Sequence, residues 1–542
     1  MSKKFIILLS TVFLLIGASA FYYDKYFEIT KNIEIFANVY KEINNNFVDE
    51  TNPSKLMKVG IDAMLASLDP FTNYISEAQI ENYRLTVEGK YNGIGARAKK
   101  MGDHLTITEV FKDYPAYKAG LRAGDQIMKV NNQDAKGKDS EDLNHIMRGI
   151  PKSEVDVEIL RPGSSQSQKF TIIRDEVNIP NVPYSSMLRD SIAYISLTTF
   201  TDNAGKNVQD ALRKLKAENA NIKGVILDLR DNGGGLLHEA VNVCNTFVPA
   251  GQTIASTRSK QKEKDMTYKT QMNPVDESIP VAVLINKNSA SASEIVSGTL
   301  QDLDRAVILG QISYGKGLVQ NTRDVGYNAI VKLTIAKYYI PSGRCIQSVK
   351  YENGEVVHLP DSLRTLFKTK NGRPVYDGGG IKPDIEVPEA NFPEIVQKIV
   401  DQDFIFNYVT RFLLKNSAPE KPENFEFNQF NDFVDYLKQN KFDDKSDAES
   451  KWADFEKELK KSGQSSLITQ TQTIKNNLDQ LQWLQIQDNK DLISNLIEEE
   501  IASRTGYESG RYAKRLGQDK LVDEAISTLL SGEKMKSILH TP

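Results

Sequence analysis

Four apolar runs separated by helix-patterned segments restrict the fold of this chain more than any other feature. Ala193–Leu197, Gly224–Leu229, Pro280–Ile285 and Ala306–Leu309 are apolar enough to be strands buried on both faces. Between them, Ala204–Glu218, Leu236–Thr246 and Ala292–Leu303 carry apolar residues at helical spacing. The alternation predicts an α/β sheet across residues 176–395.

The flanks read differently. In residues 28–86, Ile29, Ile33, Phe36, Val39, Tyr40 and Ile43 recur at helical spacing. Pro53 fits the first position of a following helix, and Asp69-Pro70 breaks the pattern. Residues 89–175 change to short strands and glycine turns: Leu105–Val110 alternates at period two, and Ile127–Val130, Val155–Ile159 and Phe170–Ile173 follow. Arg161-Pro-Gly163 makes the last turn, and Ser140–Arg148 reads as a short helix capped by Ser140. Residues 396–542 are helical and highly charged. One apolar stripe runs through Ile399, Val400, Ile405, Val409, Phe412 and Leu413, and a second through Leu478, Leu481, Leu484, Leu492, Leu496 and Ile497. The linker Asn416–Pro422 separates them. Dimerisation through these stripes, docking onto the core, or both, stay open.

An apolar fraction of 40% with 26% charged residues is the balance of a chain with a real core. A net charge of -4 argues against nucleic acid, whose phosphates demand clustered excess Lys and Arg. The two cysteines, Cys244 and Cys345, form one disulfide in an oxidising compartment or remain buried thiols. At the N-terminus, Lys3 and Lys4 precede an apolar run from Phe5 to Ile16, and Ala18-Ser-Ala20 fits a small-x-small cleavage site. Residues 1–21 are therefore a cleaved signal peptide or a retained anchor. Either places the rest of the chain outside the cytoplasm, periplasmic or membrane-anchored and facing outward.

The strongest chemical signal is Asn288-Ser-Ala-Ser-Ala-Ser-Glu294, between an expected strand and an apolar helix. Such a junction exposes a nucleophile beside helix-N-terminal amides. Ser291-Ala-Ser-Glu294 also has capping-box spacing, so Ser291 is either a nucleophile or a helix cap. Lys316, in Ser313-Tyr-Gly-Lys-Gly-Leu-Val-Gln320, supplies a base if desolvation favours its neutral amine; otherwise it is a solvated surface lysine. On an extended run Gln320 shares its face, where its amide could orient the amine. Of the five histidines, His104, His145, His358 and His540 lie away from the α/β core, and His238 sits on a helix past Gly234. Asp228-Leu-Arg-Asp-Asn-Gly-Gly-Gly235 is a strand feeding a glycine turn; it lacks the nucleotide-binding fingerprints, and its amides could face an oxyanion.

Together with Leu68-Asp-Pro-Phe-Thr72, Tyr91-Asn-Gly-Ile-Gly95, Gly120-Leu-Arg-Ala-Gly-Asp125 and Gly379-Gly-Ile-Lys-Pro-Asp384, these motifs, in this order, resemble the carboxyl-terminal processing (tail-specific) proteases over residues 28–390. The resemblance implies a crotonase-like α/β peptidase core with an inserted PDZ domain of short strands, an N-terminal helical segment and a C-terminal helical extension. It places the nucleophile on Ser291, the base on Lys316 and the orienting amide on Gln320. The oxyanion donors would be the amide of Ala292 and one from Gly234 or Gly235. The family often has Asn-Pro-Gly-Gly where this chain has Asn232-Gly-Gly-Gly235, which frees the turn.

A PDZ domain adds an extended chain end as a strand and holds its carboxylate on backbone amides. Here Gly93, Ile94, Gly95 and Ala96 would form that loop. Arg174, leaving the last PDZ strand, resembles a position that couples PDZ to active site; a surface arginine beside Asp175 is the alternative. The expected activity is an exported serine endopeptidase acting on polypeptides with free C-termini, needing no metal or cofactor. Membrane anchoring at the N-terminus and a homo-oligomer through helical segments are compatible with the pattern. A non-catalytic PDZ scaffold or chaperone is the alternative, and an acyl-CoA enzyme is discouraged by the PDZ segment and export signal.

Overall fold

The computed structural model describes residues 26–138, 147–352, 355–358, 360–389, 392–442, 447–463, 467 and 480–540. The N-terminal apolar run, most of the Ser140–Arg148 helix, and Leu478 lie outside them. The chain divides into two compact units. One holds the described residues up to Glu77 with Gln320–Thr334 and Tyr351–Val357; the other holds Ala78–Val319, Ile335–Lys350 and the residues from His358 onward.

In the first unit, residues 26–46 form a helix, followed by Pro53–Ala66 with Pro53 in its first turn. Asn52 caps that second helix, its side chain accepting from Lys55 N–H at 3.0 Å. The expected stripe is helical but outward-facing: Ile29, Ile33, Phe36 and Val39 are all exposed. Asp69 ends the helical run by accepting from the amides of Phe71 and Thr72, a local turn that competes with helix. Asn73–Ile75 then pairs antiparallel with Ile330–Lys332.

The second unit is built on a six-stranded sheet. Its order is Tyr184–Leu188, Ile192–Ser196, Gly224–Asp228, Val281–Ile285, Val307–Gly310, Ile385–Glu386. The first pair is antiparallel and the remainder parallel. Side chains alternate between faces with period two. Ala193, Ile195, Val225, Leu227, Val283 and Ile308 pack under the helices Ala204–Glu218, Leu237–Cys244 and Ala292–Asp302. Ile192, Tyr194, Ile226, Ala282, Leu284, Val307 and Leu309 face the other way, onto Leu516, Val522, Ala525, Ile526, Leu529, Met535 and Leu539. The last two helices, Lys520–Leu530 and Gly532–Leu539, therefore cover the second face of the sheet. The tail docks onto the core through these residues, which lie outside both expected stripes. Without it, a parallel sheet would leave one apolar face in water.

A separate core draws on described residues from Ile395 to Ile501, around Ile399, Ile405, Tyr408, Phe412, Phe433 and Ile497. Of the second expected stripe, Ile497 is buried and Leu492 and Leu496 pack partly buried against this core, while Leu481 and Leu484 are exposed; Ile486, Ile493 and Ile501 supply the rest of the buried face. Both cysteines are free, so no disulfide links them, and burial pushes the Cys244 thiol up.

The PDZ segment is a separate sheet, ordered Ala96–Met101, His104–Val110, Gln126–Val130, Glu154–Leu160, Ser167–Ile173. Ile94, Leu105, Ile107, Ile127, Val157 and Ile172 are among its core residues. Its entry and exit are zipped together, Lys90–Gly93 pairing antiparallel with Asp175–Asn178. No helix among the described residues is long and apolar enough to cross a membrane.

Candidate active site

Ser291 stands between the loop leaving Val281–Ile285 and the Ala292–Asp302 helix, at φ 57° and ψ -112°. For an L-residue this positive φ is strained by about 1–3 kcal/mol and persists only where the surroundings fix it. Polar letters of the serine string do the fixing. Ser289 Oγ donates to Leu229 O and Ser293 Oγ to Asn232 O, each at 2.8 Å, and Ala290 N–H donates to Asn232 O at 3.0 Å. The side-chain amides of Asn286 and Asn288 both donate to Asp231 Oδ1 at 2.8 Å. The serine loop is thus laced to the glycine turn. Ser289 and Ser293 are fully buried, so Ser291, half-buried, is the one serine of the three open to a substrate.

The glycine turn comes close because it lacks side chains. At Gly234, φ is +100°, and a Cβ would lie 2.8 Å from Ala290 O, 2.8 Å from Ser291 Cβ and 2.9 Å from Ala292 N. The Gly234 amide itself donates to Asn232 Oδ1 at 2.9 Å. Gly234 therefore gives close approach, with its own N–H engaged inside the turn; Gly235 is solvent-exposed. Asn232, fully buried, also donates to Leu197 O at 2.7 Å and braces the turn from beneath.

Lys316 lies on the loop after Val307–Gly310 and is half-buried. Two side chains hold its backbone to that of Ser291. The Glu294 carboxylate accepts from Ser291 N–H at 2.7 Å and Lys316 N–H at 2.9 Å through one oxygen. Its other oxygen accepts from Gly315 N–H at 2.7 Å and Ser313 Oγ at 2.5 Å. At the carbonyls of the same two residues, the Tyr338 hydroxyl lies 3.0 Å from Ser291 O and 2.5 Å from Lys316 O, one proton shared between two carbonyls. Burial pushes the Glu294 carboxyl up to about 7 against the pull of its four donors, and burial also raises the Tyr338 phenol. The capping box expected at Ser291 exists in its N–H half, and Glu294 extends it to the lysine loop.

Gln320 opens the share of its strand that belongs to the first unit, where its amide donates to Thr334 Oγ1 at 3.1 Å. His238 is exposed on its helix, 3.6 Å from Glu239. Among the described residues no cluster of His, Cys, Asp or Glu could hold a metal. In the PDZ loop, Gly95 has φ +77°, and a Cβ there would sit 2.5 Å from Tyr114 Cβ. Ile94 is buried, the Ile94 and Gly95 carbonyls accept from Ala116 and Phe111 N–H, and Gly93 pairs with Asp175. Ala96 opens Ala96–Met101, an edge strand among the described residues. Arg174 is buried, which removes the surface-arginine alternative; its guanidinium donates to Met147 O, Ser153 Oγ and Glu154 O.

Family models match in the same order: a PDZ domain at residues 84–160, Peptidase family S41 at 191–357, and the C-terminal helical domain of probable PDZ-proteases at 395–529. A carboxy-terminal-processing protease of Bartonella bacilliformis is 33% identical over 61% of this chain and 76% of its own length. The chain belongs to the carboxy-terminal-processing proteases. A probable CtpA-like serine protease of Staphylococcus aureus is 32% identical over 65% of this chain and 70% of its own length. Among solved structures, the photosystem II D1 C-terminal processing protease is 25% identical, covering 66% of this chain and 93% of that one, with a TM-score of 0.36. Membership makes the chain a serine-type C-terminal-processing protease with a PDZ domain.

Sequence reading missed Asn232, Tyr338 and the wider reach of Glu294. Glu294 was visible as the end of the serine string. Tyr338 lies in a strand with no local sign that its hydroxyl serves two distant carbonyls.

Proposed function

We propose that Ser291 and Lys316 form a Ser-Lys dyad that cleaves polypeptides through an acyl-enzyme. Ser291 Oγ attacks the scissile carbonyl carbon while the neutral Lys316 amine takes its proton. The amine returns that proton to the departing peptide nitrogen as the C–N bond breaks, and water then releases the acyl group by the reverse sequence. The Ala292 amide, at the start of its helix, together with a glycine amide of the turn, would receive the developing oxyanion. The observation that carries the reading is the double backbone bridge, Glu294 on the amides and Tyr338 on the carbonyls, between the half-buried Ser291 and the half-buried Lys316. Gln320 is assigned by resemblance to orient the amine.

Substrates are proposed to be chains with a free C-terminus, added to the Ala96–Met101 edge with the carboxylate at residues 93–96. The buried Arg174 ties the exit ribbon to Met147 and so would report PDZ occupancy. Residues 1–21 would export the protein, and the exposed Ile29, Ile33 and Phe36 offer a face for self-association. The test incubates purified protein with an unfolded substrate beside Ser291→Ala and Lys316→Ala. Both variants are expected to lose cleavage. Cleavage retained by Ser291→Ala would remove the dyad, and equal binding of free-acid and amidated peptides would remove the tail-reading role.

A further inference from the structure

The glycine turn at Ser291 is anchored from an unexpected direction. Arg230, inside it, is largely buried between two carboxylates. Its Nε lies 3.0 and 3.1 Å from the two oxygens of Asp228, and its Nη2 lies 2.5 Å from Oδ2. Its Nη1 reaches Asp519 Oδ2 at 2.7 Å. Asp519 belongs to the helical tail and has a separate task for its other oxygen, which caps Lys520–Leu530 by accepting from Leu521 and Val522 N–H. Tyr194 completes the group, its hydroxyl donating to Asp228 Oδ2 at 2.7 Å.

We propose that Asp519 acts through Arg230 as a positioning residue for the turn that faces Ser291 and Ala292, so that the tail supplies part of the active-site geometry. Three observations carry this. The turn needs to be held from outside, since three successive glycines and no proline leave it free and Asp231 sits at a strained φ of 58°. The residue after Arg230 is Asp231, whose carboxylate holds the serine loop through Asn286 and Asn288, so any swing of Arg230 is passed directly to that lacing. The tail is already docked by Val522, Ile526 and Leu529, so the ion pair is not needed to attach it. A buried ion pair adds little net stability over apolar packing of the same volume, so its presence here is not explained by attachment of the tail.

The inference rests on the Ser-Lys reading and is tested on the full chain. Asp519→Asn and Asp519→Ser keep an N-cap residue and remove the charge facing Arg230. Deleting an oxyanion donor outright costs about 10²–10³ in kcat, so a turn that is only shifted should lower kcat about tenfold or more, with KM within about twofold. Affinity for a peptidyl boronic acid, whose boron bonds Ser291 Oγ and becomes tetrahedral, should fall in parallel, and Asp519→Glu should recover both. An unchanged kcat, or a loss that tracks only the loss of folded protein in both variants, overturns the inference while an inactive Ser291→Ala leaves the dyad standing. Cleavage by Ser291→Ala overturns both.

Discussion

Replacing Glu294 by glutamine exchanges one carboxylate oxygen for an NH2 at a site surrounded by donors. With its carbonyl toward Ser291 and Lys316 N–H, the NH2 faces Ser313 Oγ and Gly315 N–H. The Ser313 hydroxyl can turn to accept; the Gly315 amide cannot. One buried donor is orphaned, at about 1–3 kcal/mol, and the Gly315–Lys316 peptide should shift to relieve it. At about 1.4 kcal/mol per tenfold, kcat should fall by about 5- to 100-fold with little change in KM. Stability gives a second readout. Because the folded carboxyl titrates near 7 and a free glutamate at 4.5, the native state holds a proton between these values that the unfolded chain has released. Raising pH through this window should remove about 3 kcal/mol through this group, with no further loss above it. The slope should be absent in Glu294→Gln. Denaturant titrations from pH 5 to 8, beside steady-state kinetics on a peptide reporter, measure both. Wild-type kcat together with an unaltered pH slope in the variant would refute the role assigned to this carboxylate.

Gly234→Ala should abolish cleavage while the PDZ domain still binds peptide, because its Cβ would strike Ala290 O and Ser291 Cβ at 2.8 Å from a positive φ; kinetics and peptide titration check the two halves. Ser293→Ala should lower stability by about 0.5–1.5 kcal/mol, through the lost bond to an Asn232 carbonyl that keeps the Ala290 N–H, yet keep measurable hydrolysis where Ser291→Ala keeps none. Leu529→Ala should cost about 2–5 kcal/mol of unfolding free energy, since this side chain is buried under the second face of the sheet and against Gly224. Chemical denaturation would show it, and a change below about 0.5 kcal/mol would mean that the tail does not complete that core.

The catalytic sheet was legible because its strands are buried on both faces and so leave continuous apolar runs in sequence. Val281–Ile285 and Val307–Gly310 fall where those runs predict. Tyr184–Leu188, half-buried at the sheet edge, carries no such run. The stripe at Ile29, Ile33 and Phe36 shows the limit of periodicity, which places residues on one helix face but does not choose what covers it.

At the site, local chemistry wrote the serine string, the lysine loop and the glycine turn into the sequence, since each demands particular residues at adjacent positions. Which serine is open was decided only when Ser289 and Ser293 turned inward to carbonyls of another segment. Glu294, Tyr338 and the Arg230–Asp519 pair belong to the same class: each acts on partners brought near by the packed sheet and tail. A hydrogen bond between distant segments leaves no periodic trace, because its partners are neighbours only after the chain between them has folded.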